Sequence, residues 1–273
     1  MPEGPEIRRA ADAVEQALGG HLTTAVWFGL TPLKRFEPIL TGVEVRAVET
    51  RGKALLTRFA NGLTIYSHNQ LYGRWYILPA GDSLETGRQL RLAIRNEAAS
   101  ALLYSASEIQ VLSEPELAAH PFLKRLGPDL LAPDTTPGLL LERLQSKTFR
   151  GRQLGSLLTD QSFVAGLGNY LRCEILFSAG MAPSLRPREC AREALDLLAR
   201  EMLRLPRQSY ETGGITNDPV RARQMLAAGA RFEQARFQVF RRAGLPCYRC
   251  GRPVLNVKRG GQPCYLCPGC QGG

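Results

Sequence analysis

Two cysteine pairs, Cys247-Tyr248-Arg249-Cys250 and Cys267-Pro268-Gly269-Cys270, close the chain with sixteen residues between them. Each pair can offer two thiolates to one tetrahedral ion, so the spacing predicts a zinc site on a small hairpin. Four cysteine ligands leave no position for water, which predicts one structural Zn²⁺ and no catalytic metal. Cys264 and Cys267 also have the Cys-x-x-Cys spacing. Because the turn residues after Cys267 are better, we interpret Cys264 as a small, half-buried residue outside the ligand set.

The composition indicates a folded protein of two domains with a small appendage. Hydrophobic residues make up 44% of the 273 positions, which excludes a disordered chain. No stretch of eighteen apolar residues occurs and the N-terminus has no signal-peptide pattern, so we expect a cytoplasmic protein without a membrane span. In that compartment cysteines favour metal binding over disulfides, and a redox role for the pairs lacks a βαβ context.

The net charge of +10 is concentrated in the second half of the chain. Residues 1–120 contain 12 Lys+Arg and 13 Asp+Glu, whereas residues 121–273 contain 23 and 12. This surplus of basic residues favours a polyanionic partner, most simply nucleic acid. A generally basic surface is the alternative explanation of the charge alone.

Two textures divide the chain. In the first half, residues 5–19 predict a helix, Asn61-Gly62 predicts a hairpin turn, and the short apolar runs predict an antiparallel β-sandwich. In the second half, after turn residues at 127–134, helical periodicity dominates. The strand-like runs are 24–28, 43–49, 55–60, 63–66, 76–78, 91–94 and 101–104, and the helical patterns are 137–144, 154–158, 170–179 and 188–205. The fold class is therefore multi-domain α+β.

The segment Gly166-Leu167-Gly168-Asn169 precedes a predicted helix. Glycines permit close backbone approach, and free amides at a helix start attract anions. With the basic second half, this pattern favours a DNA phosphate at the helix start. The alternative is a simple helix cap, for which Asn169 is well suited.

Pro2 becomes the N-terminal residue once Met1 is removed, and its small size predicts this removal. An α-amino group has a pKa of roughly 8, so a substantial fraction is uncharged at neutral pH. The secondary amine of proline would form a charged iminium with an aldehyde carbon and promote elimination, while Glu3 could move protons. An ordinary helix start is the alternative.

Six parts of the chain form a further pattern: residues 2–7, 51–53, 67–73, 120–129, 166–172 and the closing cysteines. In this order, over nearly the whole chain, they resemble the formamidopyrimidine-DNA glycosylase and endonuclease VIII family of base-excision repair enzymes. The Gly4-Pro5 opening and Gln70-Leu71-Tyr72 are similar to the endonuclease VIII branch.

The resemblance implies a bifunctional DNA glycosylase/AP lyase that removes oxidised pyrimidines from damaged double-stranded DNA. It implies a β-sandwich domain with a leading helix over residues 1–128, a helix–two-turn–helix domain over 129–233 and a zinc β-hairpin over 234–273. Small-molecule cofactors are not expected, and a monomer suffices. Oxidised purines as the main substrate, or a non-catalytic zinc protein that binds DNA, are the alternatives.

The resemblance also implies roles for single residues. Pro2 would attack C1′ of the damaged nucleotide, Glu3 would act as acid/base, and Lys53 would donate a proton during β-elimination. Other side chains would contact DNA. Gln70, Leu71 and Tyr72 would fill the gap left by the flipped nucleotide. Arg125 and Asn169 would contact phosphates. Glu6 and Arg172 are further candidates, with an ordinary structural ion pair as the alternative.

One position departs from the family pattern. Gln262 stands where the family has an arginine that is assigned a proton-donor role in δ-elimination. Glutamine carries no charge, so we expect weaker δ-elimination or weaker binding of damaged DNA, unless Lys258 or Arg259 substitutes. The segment 211–231 is also longer than the resemblance leads us to expect.

Overall fold

The computed structural model describes residues 2–259 and 261–272. They form two compact units, one of Pro2 with Glu6–Arg125 and one of Glu3–Pro5 with residues 126–272. The sequence predicted a boundary at residue 128, three residues later. The further boundary predicted at residue 233 lies inside the second unit and stays a prediction. No helix in the described ranges is long and apolar enough to cross a membrane.

The first unit contains two antiparallel sheets of four strands each. Their strand orders are β2-β3-β4-β8 and β1-β6-β7-β5. The strands are β1 (Ala25–Phe28), β2 (Val45–Arg51), β3 (Ala54–Phe59), β4 (Leu63–His68), β5 (Arg74–Pro79), β6 (Leu90–Arg95), β7 (Ala99–Tyr104) and β8 (Glu108–Ser113). The sequence interpretation missed β8, although Ile109 and Val111 alternate with polar neighbours and are buried. The alternation over six residues was the available signal.

A shared apolar core joins the two sheets and the leading helix α1 (Gly4–Leu18). Ile65 of one sheet, Phe28 of the other and Val14 of the helix have no more than 1% exposure and belong to this core. Burial of each such side chain contributes about 1.5–3 kcal/mol. The predicted β-sandwich with a leading helix is confirmed. Three short helices complete the unit: α2 (Glu37–Leu40), α3 (Glu114–Ala119) and α4 (Pro121–Lys124).

The second unit is helical and ends in a β-hairpin. Its elements are α5 (Pro137–Gln145), α6 (Leu154–Leu157), α7 (Asn169–Ser178), α8 (Arg192–Glu211), α9 (Pro219–Ala227), α10 (Phe232–Ala235), β9 (Leu255–Arg259) and β10 (Gln262–Leu266). Helix α7 is buried along nearly its whole length and packs on α8. Helix α8 continues six residues beyond its predicted end at Leu205. Pro206 would ordinarily stop a helix, but here it is buried within it.

The unexplained segment 211–231 has a structural basis in a buried carboxylate of α7. Glu174 has 0% exposure and accepts hydrogen bonds from Thr216 Oγ1 at 2.8 Å and from the backbone N–H of Gln238 at 2.9 Å. The N–H groups of Val239 and Phe240 donate to its other oxygen at 2.8 and 2.9 Å. Helices α9 and α10 occupy the chain between these anchors. A buried carboxylate requires such partners, so the chain from Thr216 to Gln238, which includes most of this segment, is fixed at both ends.

Candidate active site and nucleic-acid interface

The carboxylate of Glu3 occupies the start of helix α7. Glu3 has 2% exposure, and it accepts hydrogen bonds from the backbone N–H groups of Gly168 at 2.7 Å, Tyr170 at 2.8 Å and Leu171 at 3.3 Å. Amides at a helix start and the helix dipole stabilise negative charge. The anion at the start of α7 is therefore the carboxylate of Glu3. The prediction that a DNA phosphate binds these backbone amides is wrong. Gly168, not Asn169, is the N-cap residue.

Two glycines make this arrangement possible. Gly166 has φ +96°, a left-handed conformation that favours glycine, and its carbonyl accepts the Gly4 N–H at 2.8 Å. A Cβ on Gly168 would lie 2.4 Å from Cδ of Glu3. Gln161 supports the loop, because its amide donates to Leu167 O at 2.8 Å and accepts from Gly166 N at 3.1 Å. The glycine pattern in the sequence thus reflects a docking site for the chain's own Glu3.

Arg172 is a structural residue in this conformation. It has 1% exposure, and its guanidinium donates to Gly155 O and Pro263 O, both at 2.9 Å. It also donates to Oδ1 of half-buried Asn169. A buried cation needs such partners. Arg172 therefore joins α7 to the β9–β10 hairpin. The sequence made it a candidate DNA contact or a member of an ion pair, and these bonds to main-chain carbonyls correct both interpretations. The predicted phosphate contact of Asn169 stays a prediction.

The four predicted metal ligands come together. The Sγ atoms of Cys247, Cys250, Cys267 and Cys270 all lie within 4.8 Å of one another and form no disulfide. Two separations, Cys247 to Cys270 and Cys250 to Cys267, are 3.8 and 3.3 Å. Thiolates about 2.3 Å from a tetrahedral ion lie about 3.8 Å apart. This group could hold a metal ion.

The surroundings of the cluster separate ligands from other cysteines. Gln271 accepts the Cys267 N–H at 2.8 Å and donates to Met181 O at 3.0 Å, which orients the second cysteine pair. Cys264 lies outside the cluster, with its Sγ 4.0 Å from Sγ of Cys173 in an apolar environment. At 1% exposure it is fully buried, where half-burial was predicted.

Pro2 and Lys53 both belong to the first unit and are half-buried. Lys53 lies at the turn between β2 and β3, beside the backbone pair of Ala54 and His68. Burial chiefly lowers the pKa of His68, the carboxylate of Glu108 opposes this shift, and the ammonium group of Lys53 adds to it. The lysine therefore contributes positive charge to this region. Met1, whose removal the sequence predicts, lies outside the described residues.

The loop of residues 69–73, here called the wedge loop, connects β4 and β5. Leu71 and Tyr72 are 53% and 70% exposed. Adjacent exposed apolar side chains at a loop tip indicate a binding function. Gln70 is also exposed overall, but its side chain is hydrogen-bonded to Ser107 and Glu108.

Three other predicted contact residues have distinct environments. Arg125 is exposed at the end of α4, where its Nε donates to Pro121 O at 3.0 Å. Gln262 is exposed and paired in register with Arg259 across the hairpin. Glu6 is half-buried in the first turn of α1. Arg125 and Gln262 are thus accessible to a partner, and their contacts with DNA stay predictions. The sequence interpretation missed Glu174 and Glu108, because a single acid in an apolar helix or at a strand end carries no pattern.

Comparison with known proteins covers both units. The profile of the formamidopyrimidine-DNA glycosylase N-terminal domain matches residues 1–106, and that of the formamidopyrimidine-DNA glycosylase H2TH domain matches residues 126–219. Endonuclease 8 of Escherichia coli is 48% identical over 271 residues, which span 99% of this chain and 100% of the relative. Endonuclease 8 of Shigella sonnei has the same identity and coverage.

The fold also matches a solved structure. A crystal structure of Lactococcus lactis Fpg (MutM) with DNA containing Fapy-dG has a TM-score of 0.80 at 20% identity, and the match covers 98% of this chain and 99% of that one. At this identity the likeness concerns the fold alone. The family, as distinct from the fold, is identified by the 48% identity to the endonuclease 8 proteins and by the two profile matches. The chain belongs to the endonuclease VIII branch of the formamidopyrimidine-DNA glycosylase/endonuclease VIII family.

Proposed function

We propose that this protein is a base-excision repair enzyme, a bifunctional DNA glycosylase/AP lyase that removes oxidised pyrimidines from double-stranded DNA. The observation that carries the proposal is the set of three backbone hydrogen bonds that hold Glu3 directly after Pro2. A carboxylate fixed by main-chain donors is a preorganised acid/base group. The full-length identity to endonuclease 8 proteins supports the pyrimidine substrate class.

In the proposed reaction the Pro2 amine forms a bond to C1′ while the bond from C1′ to the base breaks. The base leaves with a proton, and the amine loses one. Glu3 then delivers a proton to O4′ and the sugar ring opens. This leaves an iminium between Pro2 N and C1′. This cation draws electrons from the neighbouring carbon and so acidifies its C–H bond.

Elimination cuts the strand, and hydrolysis of the iminium by water then frees the Pro2 amine and releases the sugar product as an aldehyde. Loss of a proton from C2′ expels the 3′ phosphate, which is β-elimination, and Lys53 is the proposed proton donor in this step. Loss of a second proton, from C4′, expels the 5′ phosphate in δ-elimination. Arg125 and Asn169 would position the backbone through phosphates, which carry no sequence information. Gln70, Leu71 and Tyr72 would fill the space of the flipped nucleotide.

The cysteine cluster is proposed to hold one Zn²⁺. Four thiolate ligands suit this ion and leave no open position, so its contribution is to fold the hairpin and not to activate water. The hairpin in turn contributes Pro263 O to Arg172 and holds Gln262 at the exposed turn. The domain boundaries at 128 and 233 remain part of this proposal.

The first test is covalent trapping. The protein is incubated with a thymine-glycol duplex and borohydride, and the adduct is mapped by peptide mass spectrometry. We expect a reduced adduct on Pro2. The matched control is the same chain with one residue retained before Pro2, whose nitrogen is then an amide and should trap nothing.

Two other outcomes would contradict the proposal. A protein with a free Pro2 that binds the duplex but traps neither thymine glycol nor an abasic site would be a non-catalytic DNA-binding protein. Faster excision of 8-oxoguanine than of thymine glycol under identical single-turnover conditions would overturn the substrate class while leaving the chemistry in place.

A further inference from the structure

The wedge loop has a backbone that must be held in place by its surroundings. Gln70 has φ +51°, in the left-handed region where residues other than glycine are uncommon. The Gly73 N–H donates to Asn69 O at 2.7 Å, and a Cβ on Gly73 would lie 2.5 Å from that oxygen. A tight loop with a disfavoured residue persists only when neighbouring groups determine its conformation.

Three neighbouring side chains hold Gln70. Its backbone N–H donates to Nδ1 of His68 at 3.1 Å. Its side-chain amide donates to Oε2 of Glu108 at 3.4 Å and accepts from the hydroxyl of Ser107 at 2.9 Å. Both ends of the amide and the main chain are therefore engaged, so Gln70 is fixed although its surface is exposed.

Two of the residues that hold Gln70, His68 and Glu108, belong to the β4–β8 strand pair. They are paired in register with each other. The hydroxyl of Tyr66, a residue with 0% exposure, donates to Oε1 of Glu108 at 3.1 Å. Burial, and secondly the charge of Glu108, raises the pKa of Tyr66 far above its ordinary value, so this hydroxyl remains a donor. Glu108 thus connects a buried core residue to the loop.

We propose that Ser107 and Glu108 are positioning residues that fix Gln70 and thereby hold the wedge loop, with Leu71 and Tyr72 next to it, in the conformation that enters the duplex. The inference rests on the proposed function of this loop. Neither positioning residue lies in a segment that resembled the family, and the N-terminal family profile ends at residue 106.

The experiment separates wedge insertion from chemistry. Insertion is followed by the fluorescence of 2-aminopurine opposite a thymine glycol in a duplex. Chemistry is followed by borohydride trapping on an abasic nucleotide in an unpaired three-nucleotide bubble, where no stacked pair has to be opened. The variants are Ser107→Ala, Glu108→Ala, the conservative Glu108→Gln and Gln70→Ala. Glu97→Ala, an exposed acid in the same unit, is the matched control.

We expect insertion to slow by about threefold to tenfold in Ser107→Ala and Glu108→Ala, as for the loss of one or two hydrogen bonds. Trapping on the bubble should be unchanged, and Glu108→Gln should retain most of the insertion rate. In a Gln70→Ala background Ser107→Ala should have no further effect, because the pair acts through one contact.

Insertion at the wild-type rate in Ser107→Ala and Glu108→Ala would overturn the inference. So would an equal loss on the bubble, which would indicate a general structural role, or additive losses in the Gln70→Ala background. A wild-type protein that traps neither substrate would contradict the proposed function, and the inference with it. The other outcomes contradict the inference alone.

Discussion

At the scale of single residues, Gly168 controls whether Glu3 can reach the start of α7. We expect Gly168→Ala to displace Glu3, because the added Cβ would lie 2.4 Å from its Cδ. A displacement of about 1 Å can reduce a catalytic rate by about 100-fold, and we expect a loss of that order. Single-turnover cleavage of a thymine-glycol duplex measures it.

The control for this prediction is Gly138→Ala. Gly138 lies in the first turn of α5, is exposed, and its added Cβ would meet only the Thr136 side chain at 3.9 Å. It should cleave at the wild-type rate. Equal activity of both variants would show that the contact between Gly168 and Glu3 does not matter for catalysis.

Gln262 is expected to affect the balance between the β- and δ-elimination products. Its position in register with Arg259 places a single charged side chain at this level of the hairpin. We expect Gln262→Arg to raise the ratio of δ- to β-product, because a second cation favours proton transfer to the leaving phosphate and DNA binding. Gel separation of the two products on an abasic duplex measures the ratio.

Asn256→Arg is the control for the product ratio, since it adds the same charge at an exposed position of β9 away from the turn. It should leave the ratio unchanged. If Arg259 already substitutes for the family arginine, Gln262→Arg would have no effect and Arg259→Ala would lower the ratio.

At the scale of elements, two cysteines of the C-terminal hairpin allow a test of which residues bind the metal. Cys264 and Cys267 are three residues apart and both are buried, but only Cys267 belongs to the cluster. We expect Cys267→Ala to lose the ion and Cys264→Ala to retain one per chain, measured by native mass spectrometry. A strong chelator should increase hydrogen exchange over 247–271, because metal binding and folding are coupled in such motifs. Metal loss in the Cys264→Ala protein would refute the ligand set.

Local patterns in the sequence predicted most elements because their apolar periodicity is clear. Strands β1 to β7 and helix α7 lie within two residues of the predictions. The misses have separate physical causes. Strand β8 is as long as its neighbours but has polar residues at both ends, Glu108 and Ser113. Helix α8 passes through Pro206, which buried packing tolerates, and its first predicted turn is a separate 3-10 turn over Pro187–Glu189.

Contacts between distant residues were beyond local patterns. The glycines before α7 indicated an anion site, and the structure has one, but nothing local identifies Glu3 as its occupant. Arg172 was a candidate DNA contact with an ion pair as the alternative, and it donates to main-chain carbonyls. The cysteine ligands could be predicted because their spacing alone specifies the site.

At the scale of the whole molecule, the basic second half predicts a binding affinity controlled by salt. Residues 121–273 carry 23 basic and 12 acidic side chains. Each phosphate neutralised by a cation contributes a slope of about −0.9 to the plot of log affinity against log salt. We expect a linear plot with a slope of about −3 or steeper for an uncleavable abasic duplex, measured by fluorescence anisotropy. A slope near zero would contradict a phosphate-dominated interface.

The backbone hydrogen bonds that hold Glu3 have a consequence for the order of events during biosynthesis. The first donor, Gly168, is synthesised 165 residues after Glu3. At about 5–20 residues per second, a ribosome needs roughly 10–30 s to cover this distance. During that interval the amino terminus has emerged, yet the backbone that will bind Glu3 does not exist. We therefore expect an aminopeptidase to remove Met1 from an unfolded end, before the backbone that binds Glu3 has formed.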